Sequence, residues 1–167
     1  KVSRMVTIIG NGKMALAIAK GLKDEKVEVV GRDEKKLKQF CKVSGVKKYY
    51  LLENFDITNK TIILAVKPYA LESLNLKGKA KEIISIMAGK KIEDIKRYID
   101  AKQYTRVMPN VGAEFLSSTT AVFGSETAKN IFDKIGTTIR VNSEKELDIA
   151  TAIAGSGPAF LALVAEA

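Results

Sequence analysis

Met5-Val6-Thr7-Ile8-Ile9-Gly10-Asn11-Gly12-Lys13-Met14-Ala15 is the stretch on which the reading of this chain turns. Its first five residues, mostly apolar and β-branched, make a short buried strand that stops at Gly10. From Met14 to Leu22 apolar residues return at helical spacing. Two glycines therefore occupy the joint between a strand and a helix, in the pattern G-x-G-x-x-A. Gly10 permits the tight turn, and Gly12 leaves a bare backbone that a pyrophosphate can approach. Ala15 is small enough for the helix to pack close to the strand. Free N–H groups in the helix's first turn, together with its dipole, favour an anion there. The pattern alone is weak; a strand before it, a helix after it and a second strand at the right distance give it the context it needs.

Outward from this joint, strand-like and helix-like stretches alternate. Val27-Glu28-Val29-Val30 forms a second strand ending at Gly31, and Asp33 is placed to cap a helix in which Leu37 and Phe40 face inward. Thr61-Ile62-Ile63-Leu64-Ala65-Val66 reads as a buried central strand terminated by Lys67-Pro68. Glu82 to Met87 is another, ending at Ala88-Gly89. A helix follows from about Ile92 to Ile99, then a strand, Thr105-Arg106-Val107-Met108, stopped by Pro109. Thr119 to Phe123, a helix near Ala128 to Ile135, and Thr137 to Val141 extend the sheet. The alternation predicts an α/β fold, a Rossmann-type doubly wound, mostly parallel sheet with helices on both faces. From about Glu144 the composition turns to Ala, Leu and Ile, helical around a Gly155-Ser156-Gly157-Pro158 break. The expected organisation is a dinucleotide-binding domain over 1–143 and, over 144–167, the beginning of an all-helical dimerisation domain, ending inside an unfinished helix.

Composition narrows the chemistry. With 167 residues, 46% hydrophobic and 28% charged, the chain supports one domain with a real core plus a fragment. There are no histidines, which excludes Ser-His-Asp and Cys-His mechanisms and the commonest zinc ligand, so no metal site is expected. Any general acid or base must be Lys, Asp, Glu, Tyr or solvent. Cys41, the single cysteine, reads as a packed or surface thiol and fits a reducing, cytoplasmic setting. The net charge of +9 raises nucleic acid as a partner. The basic residues, however, are scattered through stretches such as Lys35-Lys36-Leu37-Lys38, without aromatic interleaving, and read as a solvated surface that also draws in anionic ligands. The longest uncharged run, Ile149 to Ala165, is interrupted by the Gly-Ser-Gly-Pro break, so no membrane span is expected. Lys1-Val2-Ser3-Arg4 leads straight into a strand, and no signal peptide is expected.

The end of the second strand selects the cofactor. Arg32 follows Gly12 by 20 residues and presents a guanidinium fork suited to a ribose 2′-phosphate, which favours NADPH. Asp33 adjoins it; if Asp33 faced the ribose instead, NADH would be the cofactor, and its other role is the helix cap.

Four segments, in this order and spacing, resemble pyrroline-5-carboxylate reductases: Gly10-x-Gly12-x-x-Ala15; Ala65-Val66-Lys67-Pro68; Arg106-Val107-Met108-Pro109-Asn110; and Ala154-Gly155-Ser156-Gly157-Pro158-Ala159-Phe160 with Glu166-Ala167 after it. The resemblance covers the whole chain and implies reduction of 1-pyrroline-5-carboxylate to proline with NAD(P)H, the last step of proline biosynthesis. It implies that Gly10, Asn11, Gly12, Lys13, Met14 and Ala15 hold the pyrophosphate turn. Ala65, Val66, Lys67 and Pro68 would wall the ribose and nicotinamide side. Met108, Pro109 and Asn110 would lie near the nicotinamide, and Asn54 would touch the adenosine end. No catalytic residue is assigned. A protonated cyclic imine is already an electrophile, so positioning is most of the work. The resemblance implies a homo-oligomer whose helical domain supplies the loop for the substrate carboxylate. These 167 residues alone are then expected to bind NADPH without useful turnover. Two other readings stand beside this one: an NADPH-binding regulatory or sensor module without turnover, and another NADP-dependent imine or β-hydroxyacid oxidoreductase.

Overall fold

Alternation along the strands puts successive residues on opposite faces of one sheet, and both faces are covered. The computed structural model describes residues 4–109 and 118–154. In chain order the elements are β1 (Met5–Ile9), α1 (Lys13–Gly21), β2 (Lys26–Gly31), α2 (Glu34–Ser44), β3 (Lys48–Leu51) and β4 (Thr61–Leu64). They continue with β5 (Lys79–Ala80), β6 (Glu82–Ser85), α3 (Ile92–Lys96), β7 (Asp100–Ala101) and β8 (Tyr104–Met108). Last come β9 (Ser118–Phe123), α4 (Glu126–Phe132), β10 (Gly136–Arg140) and α5 (Glu144–Ala154). Eight strands form one sheet in the order β10-β9-β8-β6-β4-β1-β2-β3, and β5 and β7 form a small second sheet. In the large sheet every pairing is parallel except β8 with β9. From β1 the chain winds outward to β2 and β3, then returns to lay β4 on the other side of β1. The strand order therefore reverses between β1 and β4, where a doubly wound sheet opens a crevice at the strands' carboxyl ends.

One face carries α1, α2 and α4, whose Ile18, Leu37, Phe40, Ile131 and Phe132 pack on Val6, Ile8, Ile63, Ile84 and Val107. On the other, Ile9, Ile62, Leu64 and Ile83 meet Leu71, Leu74 and Ile95 from the turn after β4 and from α3. Farther along this second face, Leu147 and Ala150 of α5 pack on Ala121 and Val141, with Met108 beside them. Two glutamates are buried within the sheet, each bonded to a strand hydroxyl: Glu28 accepts from Thr7 at 2.8 Å and pairs with Lys60 at 2.9 Å, and Glu82 accepts from Thr105 at 2.7 Å and from Ser125.

The expected doubly wound sheet is present, with local departures. β3 was not expected: Lys48-Tyr49-Tyr50-Leu51 is an edge strand with three of its four residues exposed, so burial leaves no alternating signature in it. β4 and β6 each end two residues before the apolar runs that announce them, because Ala65-Val66 and Ile86-Met87 already belong to the turns at the crevice. α3 is shorter than its apolar spacing predicts, although Ile99 is still buried. Leu147 and Ala150 of α5 cluster with Ala121 and Val141. Among the described residues no helix is long and apolar enough to cross a membrane.

Candidate cofactor site

The carboxyl ends of β1, β2, β4, β6 and β8 lie along one edge of the sheet, which gathers Gly10–Ala15, Gly31–Arg32, Ala65–Pro68 and Met108–Pro109 at the crevice. Backbone bonds lock the first three together: Gly10 N donates to the Val30 carbonyl at 2.9 Å and Ala65 N to the Ile9 carbonyl at 2.8 Å.

The two glycines have different reasons to be glycine. Gly10 has φ +123°, and a Cβ there would overlap the Ala65 carbonyl oxygen and lie 2.8 Å from its carbon. Its missing side chain serves the fold, letting the end of β1 pass against the end of β4. Gly12 has φ −81°, an ordinary conformation for any residue, and a Cβ there would meet nothing within 4 Å. Its missing side chain serves open space at the start of α1, which a Cβ would begin to fill.

The helix beginning there is the unusual one. Gly12 offers no side-chain cap to α1, and the first turn of α1 has no acidic residue. The other described α-helices are closed. Asp33 accepts from Lys36 N at 3.2 Å and Glu34 stands in the first turn of α2; Ser125 accepts from Ala128 N at 3.0 Å and Glu126 stands in that of α4. Ser143 accepts from Glu146 N at 3.1 Å at the head of α5, with Glu144 and Glu146 in its first turn. Glu93 and Asp94 do the same for α3, where Asp94 accepts from Lys91 N at 3.0 Å. Side-chain caps and acidic first turns answer the positive end of a helix. α1 lacks both and carries Lys13 instead, the kind of helix N-terminus that can receive an anion. The residues fit a dinucleotide's pyrophosphate. Ala15, 1% exposed, brings α1 close to the sheet, and Met14 packs at the margin of the core.

Asp33 is engaged as the cap of α2, which leaves Arg32 as the side chain at the end of β2. The Arg32 guanidinium is exposed and donates to Ser73 Oγ at 2.7 Å and to the Ser73 carbonyl at 3.3 Å. It lines a cleft of about 300 Å³ with Leu51, Leu52, Glu53, Ser73 and Asn75. Asn54 does not line this cleft. It sits just beyond, exposed, at φ +58° in the turn after β3. Sequence reasoning missed Ser73 and Glu53: Ser73 is 41 residues from Arg32 and nothing local to either announces their contact. Lys67 is exposed at the end of β4, and Pro68 opens the short helical turn Pro68–Ser73 that delivers Ser73. Met108 is half-buried and packs with the cluster beneath α5. Asn110 and the Gly155–Pro158 segment lie outside the described residues. Burial pushes the Cys41 thiol up from its ordinary value, in keeping with an inert side chain. Among the described residues no group of three or more His, Cys, Asp or Glu side chains is arranged to hold a metal.

Comparison with known proteins agrees with this geometry. The family model described as "NADP oxidoreductase coenzyme F420-dependent" matches residues 5–89. The pyrroline-5-carboxylate reductase of Helicobacter pylori strain J99 is 34% identical, over 96% of this chain and 68% of its own length. Among solved structures, the 1-pyrroline-5-carboxylate reductase of Streptococcus pyogenes superimposes with a TM-score of 0.76 at 29% identity, over 96% of this chain and 66% of that one. That of Coxiella burnetii gives 0.74 at 26% identity, over 98% and 68%. The chain thus spans about two thirds of the length of these relatives. By sequence, by fold and by the open helix at the crevice, the chain belongs to the pyrroline-5-carboxylate reductase family.

Proposed function

We propose that the protein reduces 1-pyrroline-5-carboxylate to proline with NADPH. The observation that carries the reading is the bare N-terminus of α1 at the sheet's switch point, the one described α-helix with neither a side-chain cap nor an acid in its first turn. Lys13, Met14 and Ala15 would offer their N–H groups to the pyrophosphate, while Gly12 keeps the approach clear. Arg32, steadied by Ser73, would clasp the 2′-phosphate, and this favours NADPH over NADH. Ala65, Val66, Lys67 and Pro68 would wall the path towards the ends of β6 and β8, where Met108 and Asn110 would face the nicotinamide. When bound, the cofactor supplies a hydride to the carbon of the substrate's C=N bond; the nitrogen is already protonated and becomes the amine of proline. The protein's part is to hold the two carbons together and exclude water. The reading includes residues 144–167 as the start of a helical second domain, and a homo-oligomer in the cytosol. Ile149, 46% exposed on α5, supports a further surface packing there. Nucleic acid and membranes have no place in it.

The test is steady-state consumption of NADPH and of NADH with 1-pyrroline-5-carboxylate, following proline. Because the chain spans about two thirds of its relatives' length, the assay uses the protein as its source organism makes it. Tight NADPH binding with no proline formed would favour a sensor over a reductase.

A further inference from the structure

Among the described residues Arg106 is the largest fully buried side chain, and the proposed cofactor contacts do not include it. It lies on the second face of the sheet between the apolar cluster of Leu64 and Ile83 and the separate cluster of Ala121 and Leu147, a costly place for a charge. Its Nη1 donates to Glu144 at 3.1 Å and its Nη2 to Asp148 at 3.3 Å; its Nε has no partner among the described residues. Glu144 and Asp148 are one turn apart on α5, so both carboxylates fall on the helix side that meets β8. The same Glu144 oxygen accepts from Ile92 N at 2.8 Å, at the head of α3.

One guanidinium thus gathers three pieces: β8, which ends in Met108 two residues on; the chain entering α3 from the end of β6; and α5. The first two border the nicotinamide end of the crevice. The third packs through Leu147 and Ala150 on the cluster that also holds Met108. A hydrophobic side chain would fill the same space without fixing the rotation of α5 about its axis; a fork bonded to two carboxylates fixes it.

We infer that Arg106, through Glu144 and Asp148, is a positioning residue for hydride transfer, setting α5 against the ends of β6 and β8 that border the nicotinamide end of the cofactor site. The inference rests on the reductase reading for its kinetic consequence but not for its geometry. A lysine reaches one carboxylate at a time and cannot make the fork, so Arg106→Lys separates charge from alignment, and Arg106→Met tests loss of the charge with the volume kept. The expected result for Arg106→Lys is a folded protein with NADPH affinity within about twofold of wild type and kcat reduced roughly tenfold or more, since small misplacements of the reacting atoms are costly. Arg106→Met lowers kcat at least as far. Glu144→Gln, which keeps an acceptor for Ile92 N, loses less. Wild-type kcat in both Arg106 variants, even with a lowered Tm, would make Arg106 a residue of stability alone and overturn the inference. If wild type forms no proline, the reductase reading fails separately. The emission of bound NADPH then decides: an Arg106→Lys spectrum identical to wild type would overturn the alignment, and an altered one at unchanged affinity would support it.

Discussion

The N-terminus of α1 and that of α2 lie at the same edge of the same sheet, 21 residues apart in sequence, and their chemistry is opposite. α2 is closed by Asp33 and has Glu34 in its first turn. α1 begins at a glycine with no side-chain cap, no acid in its first turn, and open space where a Cβ would stand. A helix can satisfy its first N–H groups from within the chain or leave them for a ligand. The contrast supports the proposed anion site more sharply than the glycine pattern does, because Gly10 belongs to that pattern for a reason of packing.

The largest effect should come from separating the two glycines. Gly10→Val forces a branched side chain onto the Ala65 carbonyl at φ +123°, and should cost about 3 kcal/mol, or roughly 10 °C in Tm. Gly12→Val should leave stability within about 1 kcal/mol, yet weaken NADPH binding by at least about 100-fold. Thermal melts with cofactor titrations on both variants check this; equal losses of Tm would erase the distinction between a glycine for the fold and a glycine for the ligand.

Next is Arg32→Ala, expected to weaken NADPH by about 10- to 100-fold, the worth of one charge-assisted pair, and to leave NADH almost unchanged. Ser73→Ala should follow in the same direction with a smaller effect, because it removes the partner that steadies Arg32 rather than the charge itself. An Arg32→Ala protein that still prefers NADPH as wild type does would remove Arg32 as the selector.

The smallest effect, and the one that sharpens the contrast between the helices, is Asp33→Ala. Loss of the α2 cap should cost about 1 kcal/mol in a denaturant melt. NADPH affinity should stay equal or improve slightly, since a negative charge near the 2′-phosphate is gone. Strong loss of cofactor binding would mean that Asp33 faces the ribose after all.

Most of this frame is written locally in the sequence. Strands β1, β2, β4 and β6 announce themselves as buried apolar runs, and the turn at Gly10–Ala15 follows from strand, glycines and helix in succession. Asp33 is legible as a cap, and the structure shows its carboxylate bonded to Lys36 N. What stays hidden is non-local. β3 has too little burial to pattern. The antiparallel turn of β9 against β8 leaves no mark in residue order. Arg32 with Ser73, and Arg106 with Glu144 and Asp148, are pairings across 38 to 42 residues that only the wound sheet brings together. Arg106 stands in a segment whose apolar residues read plainly as a strand, and a charge in such a run is silent about its partners.

The most direct measurement of the central claim follows backbone amide shifts by nuclear magnetic resonance while NADPH is added to the isotope-labelled protein. The amides of Lys13, Met14 and Ala15 should move most among the helix N-termini, and those of Glu34, Lys35 and Lys36 should move little, because Asp33 already occupies that end. Large shifts at the head of α2 with none at the head of α1 would contradict the account and place the pyrophosphate elsewhere.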